Sequence, residues 1–233
     1  MRLIADPTQR FPQRPFFESG ELDADCEQLI GKFLRELHGK VEYPVLTDDL
    51  TKLLERHTED LDLYADLELE YGLGVEGVTL FRRGMRPSVR VHSALSENTS
   101  RENRLRTTLT HEFGHVRYHA WLFDEQQNEL FPRNPLTPPV QACKRETIVD
   151  APIVDWMEWQ AGHVSGAILM PASRVRRLAR AKAEASPPPS LEAVTAQTDF
   201  GQSLLDSIVD AFQVSREAAG VRLVRLGIFS SNR

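Results

Sequence analysis

Residues 111–115 of this chain read His111-Glu112-Phe113-Gly114-His115, a His-Glu-x-x-His pattern. In an α-helix, residues four apart lie one turn apart on the same face, so both imidazoles can point at one metal ion. Glu112 lies one step further round the helix, where its carboxylate can act as a general base toward a metal-activated water. The pattern therefore predicts a metal-binding helix with His111 and His115 as ligands.

The flanking residues support a helix over about residues 100–122. Apolar residues recur there at helical spacing and form a stripe that we expect to face a core. The stripe consists of Leu105, Leu109, Phe113, Val116 and Ala120. The two histidines lie away from this stripe, as ligands that face a cleft should. The competing interpretation is a solvent-facing His/Glu pair on an amphipathic helix.

His119 continues the spacing of four residues beyond His115. It lies roughly 12 Å along the helix axis from His111, at a rise of about 1.5 Å per residue. One ion cannot bind both side chains, because zinc–nitrogen distances are about 2 Å. We therefore predict that His119 packs or forms hydrogen bonds and is not a third ligand.

A catalytic zinc site needs a third protein ligand and an open position for water. The metzincin pattern would supply a histidine six residues after His115, but this chain has Trp121 there. A carboxylate from a following helix is the alternative, and Glu158 is the best candidate. A surface glutamate is the competing interpretation.

The predicted helix over residues 154–169 presents a face of mostly small residues, which lets a helix approach its neighbour closely. That face comprises Glu158, Gly162, Ser165 and Gly166. Pro171 ends or kinks this helix. Three other carboxylates are weaker candidates because they lie in or beside a proline-rich segment. They are Glu146, Asp150 and Asp155.

The remaining pattern predicts an α+β fold of helices packed on a small antiparallel sheet. We expect an irregular arm at residues 1–20, a domain with the metal-binding helix at 21–185 and a helical module at 186–233. Within them we predict the following elements. In the N-terminal half they are a helix over 22–37 that stops at Gly39, a second helix capped by Thr47, and two or three short strands within 69–95. A loop over 124–153 and a linker at 186–190 follow. The C-terminal module contains a helix with Leu204, Ile208, Ala211 and Phe212 on one face, and a last helix through Leu226.

Composition limits the compartment and the partners. A net charge of −6 argues against nonspecific binding to a nucleic-acid backbone. The two cysteines, Cys26 and Cys143, have no C-x-x-C spacing and encode neither a disulfide framework nor a zinc ribbon. The apolar run at the N-terminus is too short for a signal peptide, and no segment is long enough to span a membrane. We therefore expect a soluble, cytoplasmic protein without a membrane partner.

Three segments resemble the ImmA/IrrE family of metallopeptidases. Residues 105–115 are similar to its "R-x-T-x-A-H-E-x-G-H" motif. The segment Glu158-Trp159-Gln160-Ala161, leading to Ala167-Ile168-Leu169-Met170-Pro171, is similar to "E-x-x-A-N-x-F-A-x-x-L-L-M-P". Residues 211–227 resemble the family's trailing helix-turn-helix-like segment. The resemblance extends over roughly residues 40–230.

The resemblance implies a zincin-like fold with His111, His115 and Glu158 as zinc ligands and Glu112 as catalytic base. It also implies a regulatory endopeptidase that cleaves a helix-turn-helix repressor, and hence a role in transcription control. The family commonly has Asn or Asp where this chain has Gly162, and losing such a supporting residue typically costs ~10–100-fold in metal affinity or activity. His163 and Asp155 are the nearby replacements in sequence.

Further expectations concern the substrate. Residues 88–92 are the predicted edge strand beside the metal helix, where an extended peptide would pair. His163, Tyr118 and His92 are candidate donors to the oxyanion.

A DNA- or protein-binding regulator with a structural or decayed metal site is the alternative function. It is favoured by the basic run at residues 174–182 and by the helix-turn-helix-like end. The alternative for that run is a solvated helix face. The intact Glu112 favours the enzyme, since a structural site has no use for a base and is normally closed by four protein ligands.

Overall fold

A computed structural model describes residues 1–82, 84–128, 140–144, 155–185 and 194–230. The described chain is α+β, as the sequence predicts. Its helices are α1 Ser19–His38, α2 Thr47–Glu55, α3 Glu68–Tyr71, α4 Ser93–Ser96, α5 Glu102–Tyr118, α6 Ala120–Asn128, α7 Trp156–Leu169, α8 Ala172–Ala185, α9 Asp199–Phe212 and α10 Arg216–Arg225. Its strands are β1 Arg2–Ala5, β2 Gln13–Phe16, β3 Asp60–Ala65, β4 Val75–Leu80, β5 Ser88–His92 and β6 Val140–Lys144. A short 3-10 turn, Thr99–Arg101, precedes α5.

The main sheet has four strands in the order β3-β5-β4-β6. The antiparallel pair β4–β5 confirms the strands expected within residues 69–95. Two features differ from the prediction. The sheet is mixed, because β3 pairs in parallel with β5, and β6 adds a strand that the sequence pattern did not indicate.

Strand β5 is an interior strand, so the prediction that residues 88–92 form an edge is wrong. Its two sides pair with β3 and β4. The prediction failed because β3 lies before residues 69–95, where the glycine-separated strands were expected. Strand β3 pairs with the side of β5 that was expected to be free. Among the described residues, β6 pairs with β4 alone.

The N-terminal segment is ordered, and the prediction of an irregular arm is wrong. Strands β1 and β2 form an antiparallel pair in which Arg2 lies opposite Phe16. Phe11, between the two strands, is buried against Phe81, Phe123 and Trp156 in a small apolar cluster. The proline-rich pattern concealed this structure because the pairing and the aromatic contacts are made by residues distant in sequence.

Helix α5 lies between α7 and the main sheet. Four members of its predicted apolar stripe are buried, with Leu109 and Phe113 almost inaccessible, whereas Ala120 is half-buried and begins α6. Gly114 permits the close approach of α7, because a Cβ at that position would lie 2.8 Å from Ala161 Cα. On the opposite side, Gly77 of β4 lies directly against the Glu112 side chain. The helix ends at Tyr118, a few residues before the predicted end, and α6 begins at Ala120.

The helices expected elsewhere are present. Helix α1 ends at Gly39, which has a left-handed backbone with φ of 72°. Helix α2 begins at Thr47, but Leu46 occupies the N-cap position, and the Thr47 hydroxyl donates to Glu102. The predicted cap is therefore wrong although the helix is confirmed.

The predicted loop over 124–153 is partly incorrect, since α6 continues to Asn128 and β6 lies within it. The rest of that loop, with the candidates Glu146 and Asp150, lies outside the described residues, as does the predicted linker at 186–190.

The C-terminal helices share the apolar core of the remainder of the chain. Leu204, Ile208 and Leu223 belong to the same buried cluster as Leu109 and Phe113. No helix among the described residues is both long and apolar enough to cross a membrane.

Candidate metal centre

Four potential metal-binding side chains converge between α5, α7 and β6. His111 and His115 come from α5, Glu158 from α7 and Cys143 from β6. One ligand atom from each of the four lies within 4.8 Å of all the others, and all four residues are buried. This cluster can hold a metal ion, and it contains every ligand expected from the sequence.

The donor atoms of the cluster lie close enough together to share one ion. The Nε2 atoms of His111 and His115 are 3.2 Å apart. His111 Nε2 lies 3.1 Å from Glu158 Oε2, and His115 Nε2 lies 3.2 Å from the other oxygen, Oε1. Two ligand atoms at about 2.0–2.1 Å from one zinc at a tetrahedral angle would lie about 3.3 Å apart. Each of these pairs is therefore spaced as two ligands of one ion would be.

Hydrogen bonding alone does not account for the surroundings of His115 Nε2. This atom lies within 3.3 Å of three groups, namely His111 Nε2, a Glu158 oxygen and Cys143 Sγ. A ring nitrogen carries either one proton or one lone pair, so it cannot form three such bonds at once. A cation at the centre satisfies all of these atoms together.

Glu112 lies beside the cluster but faces the sheet. Thr79 Oγ1 of β4 donates to its Oε2 at 2.6 Å. Its other oxygen, Oε1, is buried and has no hydrogen-bond partner among the described residues. Complete burial raises the pKa of this carboxyl group, against the opposing effect of the two histidines. The carboxyl group thus has Oε2 fixed by Thr79 and Oε1 packed against Gly77, and the nearby Cys143 thiol also acts to lower its pKa.

A chain of hydrogen bonds fixes the tautomer of His115. Gln160 Nε2 donates to the carbonyl oxygen of Pro15, which leaves Gln160 Oε1 as an acceptor for His119 Nε2. Burial lowers the pKa of His119 well below its usual value, so its ring is neutral and its Nδ1 accepts. His115 Nδ1 lies 3.0 Å from that atom and therefore donates. His115 Nε2 then keeps its lone pair for a metal, and His119 has the hydrogen-bonding role that the sequence predicts.

Glu158 is held by a second chain of contacts. Gln141 of β6 donates to Glu158 Oε1 at 2.6 Å, and Arg10 donates in turn to Gln141. Burial opposes ionisation of Glu158, but its contacts with His111 and His115 lower its pKa well below the usual range. Asp155, a weaker candidate ligand, instead caps α7 by accepting from the Glu158 backbone.

One face of β4 and β6 borders the whole centre. Gly77 lies opposite Cys143 in the strand register, and Thr79 lies opposite Gln141. Residues two apart on a strand point to the same side of a sheet. Gly77 and Thr79 therefore contact Glu112, while Cys143 and Gln141 reach the ligand side.

The side chains considered as replacements at position 162 or as oxyanion donors lie elsewhere. His163 contacts Asp23, Tyr118 donates to Asp25, and His92 caps α4 through its Nδ1. Gly162 lines a small cavity beside Arg222, one helical turn beyond Glu158. His115 and Glu158 are held instead by side chains from other positions, namely His119, Gln160, Gln141 and Arg10. These residues provide the support for the ligands that was expected from an Asn or Asp at position 162.

Sequence reasoning missed the side chains of β6 and of the N-terminal segment. The alternation of Gln141 and Cys143 in a β-prone run was the available signal for β6. No local pattern indicated Arg10, since its partner Gln141 lies 131 residues away in the chain.

Comparison with protein families, with curated proteins and with solved structures gives no match to this chain.

Proposed function

We propose that this chain is a zinc-dependent endopeptidase with a zincin-like arrangement of helices on the main sheet. The observation that carries the proposal is the convergence of His111, His115 and Glu158 with Glu112 beside them. Two histidines and one carboxylate are a ligand set of catalytic zinc sites, and a neighbouring carboxylate is the base that such hydrolysis requires.

Zinc is the metal that suits this centre best. The donors are imidazole nitrogens, a carboxylate and a thiol within 4.8 Å of one another, a combination that favours zinc over magnesium or calcium. When bound, zinc lowers the pKa of water and polarises a carbonyl group. The ligands would be His111, His115 and Glu158, with His115 held in the required tautomer by His119.

Glu112 would perform the proton transfers at its Oε1 atom. Thr79 holds Oε2, so the free oxygen is positioned and unpaired among the described residues. Its raised pKa favours taking a proton from the attacking water and returning it to the leaving amine. Glu112 and the proposed ligands are buried, so bulk water is excluded from these proton transfers.

The proposed substrate is a protein, specifically a helix-turn-helix repressor. This part rests on the resemblance of residues 105–115, 158–171 and 211–227 to ImmA/IrrE peptidases. We propose that α9 and α10 correspond to that family's helix-turn-helix-like segment. Both cysteines are free thiols, which fits a reducing, cytoplasmic compartment.

The test is a comparison of wild type with Glu112→Gln, each co-expressed with repressors encoded nearby. Both proteins should contain zinc, because Glu112 is not a ligand. Cleavage by Glu112→Gln should fall at least about a hundredfold, the usual contribution of a general base. Glu97→Gln, on the exposed end of α4, is the matched control and should cleave normally. Unchanged cleavage by Glu112→Gln would contradict the role of Glu112 as the general base.

A second candidate function is a DNA- or protein-binding regulator with a structural metal site. Cys143 favours it, because four protein donors are typical of structural zinc. Such a regulator would bind a partner without producing cleavage fragments, and Glu112→Gln would leave that binding unchanged. Mass spectrometry of the co-expressed partner distinguishes the two functions.

A further inference from the structure

We propose that Cys143 is a fourth protein ligand of the metal centre and closes it in the state described here. The ligand assignment stands on geometry alone. Its consequence for activity rests on the proposed peptidase function.

The Cys143 sulfur lies among the other donor atoms of the centre, all within 4.8 Å of one another. Sγ lies 3.3 Å from His115 Nε2 and 3.7 Å from Glu158 Oε1. A zinc–sulfur bond of about 2.3 Å, combined with zinc–nitrogen or zinc–oxygen bonds of about 2.0 Å, gives separations of about 3.5 Å between ligand atoms. The thiol is therefore within reach of an ion held by His115 and Glu158.

Packing does not explain this thiol. Cys26, the other cysteine, belongs to the main apolar cluster together with Leu22 and Ile30. Cys143 is just as buried, but its polar neighbours are His115, Glu158 and Glu112, and it is not a member of the apolar clusters of the described chain. Soft thiolate is a preferred zinc ligand, and a bound cation stabilises its ionised form.

The strand that carries Cys143 also holds Glu158 in place. Gln141, two residues before Cys143, donates to the Glu158 carboxylate from the same face of β6. Binding of Sγ to the metal would therefore add to an existing attachment of β6 to the ligands. Gln141 and Cys143 thus both contact the Glu158 carboxylate from one face of β6, which supports a specific contact at position 143.

Closure by four protein ligands has a direct consequence for catalysis. A catalytic zinc keeps one position open, whereas a closed site leaves none for water. With Cys143 bound, Sγ would have to give up its position to a water molecule before Glu112 could act, and the closed form would be latent. Removal of the thiol should raise the rate by about tenfold if the open form is about a tenth of the population.

X-ray absorption of the zinc-loaded protein tests the ligand assignment. Wild type should show one sulfur neighbour at about 2.3 Å beside nitrogen and oxygen neighbours. Cys26→Ser should keep that sulfur signal, and Cys143→Ser should lose it. Absence of sulfur from the wild-type spectrum overturns the proposal, and this result does not depend on the folding of any variant.

Cleavage assays with the repressor used above test closure separately. Cys143→Ser should cleave faster than wild type, while Cys26→Ser should match wild type. If X-ray absorption shows a sulfur ligand but Cys143→Ser and wild type cleave at the same rate, closure is overturned while the assignment of Cys143 as a ligand stands. A sulfur ligand without cleavage by either protein supports the ligand assignment and rejects the peptidase, so the two failures differ.

Discussion

His115 and Glu112 lie close together on α5 but face different partners. His115 donates through Nδ1 to His119 and turns Nε2 toward the other donors. Glu112 points to β4, where Thr79 binds one oxygen and Gly77 leaves space for the carboxylate. Each role therefore depends on one or two contacts that a single substitution can remove.

Gly77→Ala should impair the base without removing the ligands. An added Cβ would overlap the Glu112 carboxyl group, 2.8 Å from its Cδ, so the side chain must move. Overpacking of this kind costs about 1–3 kcal/mol. We expect zinc content to stay near wild type while cleavage falls at least about tenfold, since misplacing a catalytic group by about 1 Å can cost a hundredfold.

The matched control for that substitution is Gly20→Ala, because a Cβ at Gly20 meets nothing within 4 Å. Metal analysis and cleavage assays on both variants provide the measurement. Normal cleavage by Gly77→Ala would show that the position of Glu112 does not matter.

At the scale of elements, the separation of α5 and α7 sets the geometry of the centre. The helices meet at Gly114 and Ala161, and Thr110 and Ser165 exchange a hydrogen bond of 2.7 Å across the same contact. His115 lies next to Gly114 on one helix, and Glu158 precedes Ala161 by one turn on the other. The distance between ligands is thus fixed by how closely two backbones can approach.

Gly114→Ala should separate these helices. Its Cβ would lie 2.8 Å from a backbone atom of Ala161, which cannot move aside as a flexible side chain could. Alanine gains about 1 kcal/mol of helix propensity over glycine, but we expect the overlap to outweigh it and unfolding free energy to fall by about 1–3 kcal/mol. Zinc affinity should fall as well.

Gly31→Ala on α1 is the control, because its Cβ would meet only the far end of Arg35, at 3.6 Å and beyond. That variant should be as stable as wild type or more stable. Thermal unfolding and zinc titration of both proteins check the prediction, which fails if Gly114→Ala behaves like Gly31→Ala.

At the scale of the whole molecule, buried polar contacts hold both ends of the chain on α7. The N-terminal segment reaches the centre through Arg10 and the Pro15 carbonyl. At the other end, Arg222 of α10 donates to Asp23 at 2.7 Å, and His163 of α7 contacts the same carboxylate at 3.0 Å. These contacts cross the boundaries expected at residues 20 and 185, and the division into domains stays a prediction.

His163 should make stability depend on pH. Burial lowers its pKa, and the charge of Arg222 adds to this effect, against the hydrogen bond that His163 donates to Asp23. In the unfolded chain a histidine binds a proton below about pH 6.5. The unfolded state then holds the extra proton, so this contribution is complete above about pH 6.5 and is lost as the pH falls.

His163→Gln removes the titrating group and can keep a hydrogen bond to Asp23. Between pH 7.5 and pH 5, wild type should lose more unfolding free energy than His163→Gln, with a difference in slope of at most about 1.4 kcal/mol per pH unit. Denaturant unfolding of the metal-free proteins at the two pH values measures this. Equal slopes would contradict the role assigned to His163.

Local spacing allowed the sequence to predict much of the helical structure. The stripe of α5, the stop at Gly39 and the face of α9 all follow from contacts within a few residues, and the structure confirms them. The same locality places His111, Glu112 and His115 on one helix and excludes His119 as a ligand of the same ion. Glu158 was a candidate because the small residues around it predict close helix packing.

The tertiary structure alone decided what surrounds those residues. Cys143 and Gln141 reach the centre because β6 pairs with β4, and Gly77 and Thr79 meet Glu112 through the same register. Arg10 depends on the fold of the N-terminal segment. Strand pairing and long-range side-chain contacts join residues far apart in the chain, and no periodic pattern encodes which partner each will meet. The sequence by itself thus determined which helix can bind a metal, whereas tertiary packing decided how many donors surround the site and which oxygen of Glu112 is free.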